Sequence, residues 1–317
     1  MSKRCFIGID TSNYTTSAAV CTYDGEIVAN VKRMLPVKSG ERGLRQSDAV
    51  FAHVKNMPEV MEELSLKLRE LELEAAAIGY SAYPRDAEGS YMPCFLVGQT
   101  AAVSQAAVLG VPTYAFSHQA GHVRAAAYSS GFCMDGQKFA AFHVSGGTTE
   151  LLICESVGGE LSIKLEGGTL DLNAGQLIDR IGVLMGLDFP CGKVMEVLAK
   201  EYKGKTPKVK LSVRDLECNL SGLENKAAKL YKDTSDVSFV SAFVFDRIAD
   251  VLGAISENLR ARYENIPILY SGGVMSNQRI REKLSGLKDT YFAEPQFSAD
   301  NAAGTALLCR EKYLILR

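Results

Sequence analysis

The chain has 317 residues, 35 Lys and Arg against 37 Asp and Glu, and a net charge of −2, so no global basic field announces nucleic acid or an anionic membrane. Hydrophobic residues make up 47% and charged ones 23%, enough for sizeable cores, and the length favours about two domains. The eight cysteines, Cys5, Cys21, Cys94, Cys133, Cys154, Cys191, Cys218 and Cys309, are scattered with no Cys-x-x-Cys pair, which argues against a disulfide frame and for reduced, buried thiols. Met-Ser-Lys-Arg runs straight into an apolar strand and no run of 18 apolar residues occurs, so the expectation is a cytoplasmic chain without leader or membrane span.

In chain order, residues 5–10 form a short apolar strand ending in an acid, 11–16 a polar turn, and 17–22 a second strand. Asp24-Gly25 signals a tight hairpin, and 26–33 is a third strand. Residues 35–47 are a loop rich in Lys, Arg and Gly. From 48 to 72, Val50, Val54, Met57, Met61, Leu64, Leu68 and Leu71 recur at helical spacing. A buried strand at 75–82, a loop at 83–93, an alanine-rich helix at 95–109 and a strand at 111–116 follow. Ser117 is a candidate N-cap for the next helix. His118 and His122 lie one turn apart on one face of it, roughly 6 Å apart at Cβ. Two neutral imidazoles so placed can bind one metal ion side by side; alternatively one caps and the other packs.

Asp135-Gly136 opens a second unit: a strand at 139–144, the glycine turn Ser145-Gly-Gly-Thr-Thr149, a strand at 150–155, a Gly158-Gly159 hairpin and a strand at 161–166. The opening order of the first unit is repeated without sequence identity, which suggests two similar α/β lobes facing a cleft. A helix at 171–187 carries Asp179. Residues 188–236 are polar and Lys-rich and read as an insertion holding short helices. A long helix at 237–263, a strand at 267–270, a glycine turn at 271–277, a helix from 278, a short strand at 290–292 and a closing alanine-rich helix capped by residues 298–301 complete the chain. Three polar or glycine turns after strands, at 10–16, 145–149 and 271–277, let backbone N–H groups and hydroxyls approach phosphates. In a duplicated frame this is the arrangement of the actin-like ATPase fold (ASKHA, RNase H-like). No P-loop motif occurs. The expected lobes are 1–134, completed by the helix at 300–317, and 135–299.

The motifs Gly8-Ile-Asp-Thr-Ser12, His118-x-x-x-His122, Val144-Ser-Gly-Gly147, Ala174-Gly-Gln-Leu-Ile-Asp179, Gly186-Leu-Asp-Phe-Pro190, Ser221-Gly-Leu223, Gly272-Gly-Val-Met-Ser-Asn277 and Asp300-Asn-Ala-Ala303 span nearly the whole chain. In this order they resemble the TsaD family, threonylcarbamoyl-transferases that modify tRNA. The resemblance implies that His118, His122 and Asp300 bind one divalent ion, iron or zinc, which orients a threonylcarbamoyl-adenylate made by a partner enzyme. The group then passes to N6 of the adenosine beside the anticodon. It also implies that Val144, Ser145, Gly146, Gly147, Thr148, Asp179, Gly192 and Asn277 line the adenylate pocket, with Asp179 accepting from ribose hydroxyls. Asn277 reads equally as a helix N-cap. Asp10, Thr11 and Ser12 form a candidate phosphate or metal loop, or Asp10 caps the turn. His53 is structural or near the tRNA face. The implied partners are tRNA, a same-fold dimerisation subunit and a small ATPase subunit, with Lys32, Arg33, Lys203, Lys205, Lys208 and Lys210 as candidate tRNA contacts.

The chain departs from the family at three places. Thr148 replaces the family's histidine, residues 83–93 replace its Gly-Pro-Gly-Leu loop, and Cys191 enters the Pro-Gly-Gly turn; Cys191 reads as a packed thiol rather than a nucleophile. These departures suit a divergent paralogue, with another acceptor or a non-catalytic same-fold subunit as alternatives. Gln119-Ala120-Gly121 between the histidines argues against a zinc peptidase, which needs a Glu beside the first His. No general base is identifiable.

Overall fold

The computed structural model describes residues 3–12, 14–36, 44–158 and 160–317. Asn13 of the first polar turn, most of the loop at 35–47 and Gly159 of the second hairpin lie outside the described residues. Two compact units result, one made of residues up to Ser129 with Ser156–Leu161 and Ala299–Arg317, the other of Ser130–Glu155 and Ser162–Ser298.

The first unit runs β1 (Lys3–Thr11), β2 (Thr15–Thr22), β3 (Ile27–Met34), α1 (Gln46–Glu70), β4 (Leu73–Tyr83), α2 (Phe95–Leu109), β5 (Thr113–Ser117) and α3 (His118–Ser130). Its sheet has the order β3-β2-β1-β4-β5, with β1–β2 and β2–β3 antiparallel and β1–β4 and β4–β5 parallel. The β-branched Thr11, Thr15 and Thr16 extend the strands into the expected polar turn, and Thr11 pairs with Thr16. On α1 the buried stripe is Ala49, His53, Met57, Val60 and Leu64. It is rotated from the stripe expected, and Val54 is exposed. Apolar residues on both sides of this helix satisfy the same period, and packing on the sheet selects one of them.

The second unit carries β6 (Lys138–Val144), β7 (Thr149–Val157), β8 (Glu160–Thr169), α4 (Ala174–Leu184), α5 (Gly192–Glu201), β9 (Val213–Arg214), β10 (Glu217–Cys218), α6 (Ser221–Thr234), α7 (Val237–Arg262), β11 (Ile268–Ser271), α8 (Gln278–Leu284), β12 (Thr290–Phe292) and α9 (Pro295–Ser298). Its sheet has the order β12-β11-β6-β7-β8-β10-β9. The run β8-β7-β6-β11-β12 repeats β3-β2-β1-β4-β5, and β11 lies parallel to both β6 and β12. This is the duplicated actin-like α/β fold. The 188–236 stretch is built into the unit: β10 pairs with β8, and Met195, Ala199, Leu216, Leu223 and Ala227 join the core around α7. Its polar composition reflects one-sided burial of short amphipathic pieces. No helix among the described residues is long and apolar enough to cross a membrane.

The chain then returns to the first unit as α10 (Ala303–Ile315). Two glycines let this helix seat. A Cβ on Gly304 would lie 1.8 Å from the carbonyl oxygen of Gly121 on α3, and a Cβ on Gly8 would lie 2.4 Å from the Ala306 nitrogen. Both obstructions are backbone, so neither can swing aside. Gly304→Ala is therefore expected to destabilise the protein by about 3 kcal/mol or more, at the upper end of overpacking costs. Gly286→Ala, where nothing lies within 4 Å, should stay within about 0.5 kcal/mol of wild type. Urea denaturation of the two variants checks this, and equal midpoints would refute the close approach.

Candidate functional site

The first unit gathers His118, His122 and Asp300. Ser117 Oγ accepts the Ala120 N–H (3.1 Å) and so caps α3, as its sequence position suggested. The same hydroxyl donates to Asp86 (2.6 Å) and the Gln119 N–H donates to the Pro84 carbonyl (3.0 Å), so the unusual 83–93 loop is pinned to the first turn of α3. The next residue is His118, and one turn later comes His122, with ring centroids 4.3 Å apart. Asp300 precedes α10. Its Oδ1 lies 3.3 Å from His122 Nε2 and 3.7 Å from His118 Nε2, and the two Nε2 atoms are 2.9 Å apart. One ligand atom from each residue falls within 4.8 Å of the others.

Asp10 completes the arrangement from beneath. Its buried Oδ1 lies 2.8 Å from His118 Nδ1. A carboxylate accepts, so Nδ1 carries the proton and the Nε2 side of the ring faces His122 and Asp300. This is the orientation a metal-ligating imidazole takes, with its other nitrogen donating to a carboxylate. The donor set, two imidazole nitrogens and one carboxylate oxygen, fits iron or zinc. The other oxygen of Asp10 is buried with no hydrogen-bond partner among the described residues. Burial alone would lower the His118 pKa, but the charge and hydrogen bond of Asp10, then those of Asp300, push it up to about 10. The start of α3 disfavours a cation by about 0.3–1 kcal/mol, whereas each charge-assisted hydrogen bond contributes about 1.5–3 kcal/mol, so the carboxylates win. Burial works against the Asp300 charge, yet its hydrogen bonds to His118 and His122 hold its carboxyl well below the usual range.

The neighbouring polar residues divide by role. Ser12 Oγ donates to Asp300 Oδ2 (3.0 Å). His53 is wholly buried, which removes it from any tRNA face. Its Nε2 donates to the Ser12 carbonyl and its Nδ1 faces Thr16 Oγ1, both at 2.8 Å. Burial lowers its pKa, outweighing the Ser12 carbonyl and Asp10, so a neutral imidazole braces the turn. Thr11 Oγ1 donates to the Cys94 carbonyl and accepts the Gly98 N–H at the start of α2. The structure thus brings Asp10 and Ser12 to the histidine–Asp300 group and turns the Thr11 hydroxyl away from the loop. Asp10 is not a turn cap. Its link to His118 crosses two parallel strand connections and has no local sequence signal. The family resemblance, which set Asp10 in a candidate phosphate or metal loop, was the one pointer to it.

The second unit holds the other predicted site residues. In the Ser145–Thr148 turn, Ser145 Oγ accepts the Gly147 and Thr148 N–H groups (3.3 and 3.2 Å) and lies 2.7 Å from Thr148 Oγ1. Gly146 and Gly147 are exposed, and a Cβ on either would meet nothing within 4 Å. The start of α4 locks the turn from behind: Asn173 Nδ2 donates to the Gly147 carbonyl and the Gly175 N–H to the Ser145 carbonyl. Gly272, at φ +97°, backs onto Val144, whose carbonyl oxygen would be 2.2 Å from a Cβ there, so β6 and the late glycine turn touch directly. Asp179 is half-buried, not an exposed helix acid. Its Oδ1 accepts the Cys191 N–H (2.8 Å) just before Gly192, and burial raises its pKa against that hydrogen bond. Cys191 is buried, with its Sγ against the Asp179 and Leu187 carbonyls, and burial pushes its thiol pKa up; it is a packed thiol. Asn277 Oδ1 accepts the Ile280 N–H (3.1 Å) and caps α8. Lys203, Lys205, Lys208 and Lys210 are all exposed.

A family model described as tRNA N6-adenosine threonylcarbamoyltransferase matches residues 27–307. A protein of that name from Methanopyrus kandleri is 30% identical over 306 residues, covering 94% of this chain and 84% of its own. One from Streptococcus suis is 29% identical over 328 residues, covering 99% and 94%. Among solved structures, full-length HypF in its phosphate- and nucleotide-bound form superposes with a TM-score of 0.61 at 12% identity, over all of this chain and 47% of that one. That likeness is one of fold.

The raised His118 pKa has a sign that can be tested. Its charge pairs stabilise the metal-free protein fully below the ordinary histidine range, and this contribution disappears as pH rises through about 10. In chelator-treated protein His118 should stay protonated at neutral pH, and zinc binding should expel that proton. Calorimetry in buffers of different ionisation enthalpy reads the release, and Asp10→Asn should remove most of it. Binding without proton release would refute the charged pair.

Proposed function

The chain belongs to the tRNA N6-adenosine threonylcarbamoyltransferase family, a family of acyl-type transferases, and we propose that it moves a threonylcarbamoyl group from threonylcarbamoyl-adenylate to N6 of the adenosine beside the anticodon of tRNA. The observation that carries this reading is the convergence of His118 Nε2, His122 Nε2 and Asp300 Oδ1, with Asp10 holding the proton of His118 on Nδ1. In this reading those three residues hold one iron or zinc ion, which when bound would supply Lewis-acid polarisation of the acyl donor. Asp10 fixes the tautomer and Ser12 fixes the carboxylate. Val144 to Thr148, Asp179, Gly192 and Asn277 take the adenylate. A phosphate there would compete with Ser145 Oγ for the Gly147 and Thr148 N–H groups, which are held at long distance. The adenosine N6 attacks the carbamoyl carbon, the bond from that carbon to the phosphate oxygen breaks, and AMP leaves with the electron pair while N6 loses a proton. Loop N–H groups stabilise the charge that develops.

The proposed setting is the cytoplasm, with an adenylate-forming enzyme as supplier and a same-fold dimerisation subunit and a small ATPase subunit as partners. The exposed lysines at 203, 205, 208 and 210 are the proposed tRNA contacts, and Lys32 and Arg33 are not among them. Lys32 is half-buried, and the Arg33 guanidinium is engaged by Glu63.

The test supplies unmodified tRNA, labelled threonine, bicarbonate, ATP, the adenylate-forming enzyme and the family's partner proteins, with this chain as sole transferase. Label should enter tRNA, and His118→Ala or Asp300→Asn should reduce it by about a hundredfold or more, the scale expected for loss of a metal ligand or its orienting shell. Zinc-loaded wild type that binds the adenylate but labels no tRNA would move the search to another acceptor.

A further inference from the structure

The loop at 83–93, where the chain departs from its family, is also the loop on which the first turn of α3 rests. β4 and β5 run parallel and end side by side, with Tyr83 and Ser117 as register partners. α3 begins at the next residue, His118, so no connecting loop separates strand from helix. The first N–H groups of a helix have no partner within it. Here the Gln119 N–H goes to the Pro84 carbonyl (3.0 Å) and the Ala120 N–H to Ser117 Oγ (3.1 Å). Ser117 is buried, and its hydroxyl has one proton to place. That proton goes to Asp86 Oδ2 at 2.6 Å, the length of a charge-assisted bond. With the proton fixed on that side, a lone pair is left facing Ala120.

Asp86 is held in turn. The Arg85 N–H donates to Ser90 Oγ (3.0 Å), the Ala87 N–H to the Arg85 carbonyl (2.9 Å) and the Ser90 N–H to the Ala87 carbonyl (3.1 Å), so residues 85–90 close on themselves. Tyr83 brings a second hydroxyl to the same carboxylate. Burial, then the charge and hydrogen bond of Asp86, push the Tyr83 pKa up. One carboxylate thus joins the ends of two strands to the start of a helix. The residue this controls is His118. It is the first residue of α3, whereas His122 lies a full turn in, and helices fray from their ends. Asp10 holds the His118 ring through Nδ1 but not the backbone that carries it. Metal–ligand distances tolerate about ±0.2 Å, so a loosened first turn takes His118 away from an ion shared with His122 and Asp300.

We propose that Asp86 is a positioning residue of the His118–His122–Asp300 centre, acting through Ser117 to hold the first turn of α3 so that His118 and His122 can share one ion. This rests on the reading of that centre as a metal site.

The experiment measures the zinc affinity of the full chain by competition with a chromophoric chelator, with His118→Ala marking the binding that belongs to the centre. Asp86→Ala should weaken that binding by about tenfold, the lower end of what loss of an orienting partner costs. Asp86→Asn, whose amide oxygen still accepts the Ser117 proton, should stay within about threefold of wild type. In a Ser117→Ala background, Asp86→Ala should add less than about twofold, because both changes break the same link. Asp236→Ala removes the side chain that accepts the Phe239 N–H at the start of α7. It controls for a general loss of stability and should leave zinc affinity within about twofold. An equal loss in Asp236→Ala overturns the proposal, as does a loss in Asp86→Ala that persists in full beside Ser117→Ala. Zinc binding that Asp86→Ala leaves unchanged rejects Asp86 alone. A wild type with no zinc binding sensitive to His118→Ala overturns the reading of the centre and the role of Asp86 with it.

Discussion

The candidate centre depends on a contact between two backbones. Gly121 lies between His118 and His122 on α3, and its carbonyl oxygen sits where a side chain on Gly304 would have to be. Glycine at 304 lets α3 and α10 come this close, whereas a Cβ on Gly121 would meet nothing nearer than Thr305 Oγ1 at 3.1 Å. Because Asp300 lies just before α10, the approach that buries Gly304 also brings its carboxylate to the two imidazoles. Gly8 repeats the device beneath, admitting the start of α10 to β1 one alternation before Asp10. Arg124 and Glu311, 2.7 Å apart, tie the same two helices further along. Three elements distant in sequence are thus held by packing that tolerates no added carbon, and the polar groups they carry inherit that precision.

The polar groups themselves are poorly arranged for stability alone. Asp10 is buried, leaves one oxygen without a partner among the described residues, and meets a histidine that must be charged to compensate it. Replacing such a buried ionic group by apolar residues is often neutral or stabilising. Local arrangements that cost stability tend to mark functional sites. The His53–Ser12–Asp300 chain points the same way, since a neutral, fully buried imidazole fixes a serine carbonyl whose own hydroxyl holds the carboxylate. In the proposed reading a cation bound at the centre would take the place of the proton on His118, so the raised pKa of that imidazole and the proposed affinity for a metal ion are one property.

Much of this was legible in the sequence, and what was not has physical reasons. The long helices followed from period, α2 to the residue, and the histidine pair followed from helical spacing after a strand. The duplicated order strand, turn, strand, hairpin, strand was readable because turn chemistry is local. The segment at 188–236 looked like an insertion because its pieces are short and amphipathic. Its contribution to the core, through Met195, Leu216 and Leu223, depends on pairings with β8 and α7 that no local pattern encodes. The stripe on α1 was displaced for a related reason, since a helix with apolar residues on more than one side leaves the choice of face to its neighbours.

The same limit governs Lys32 and Arg33. As sequence they are two basic residues at a strand end, interchangeable as phosphate contacts. Strand alternation makes them opposites, and which of them faces the histidines depends on register, because a slip of one residue would exchange them. The register here is set by the buried run Ala18 to Cys21 and by Thr11 and Thr16 closing the first hairpin. These apolar and β-branched residues carry no chemistry of their own. They nonetheless determine that Arg33 is committed to the surface acids of α1 while Lys32 lies on the opposite face of the sheet. Which of the two cations shares a face with Asp10 is thus fixed by the packing that sets the register.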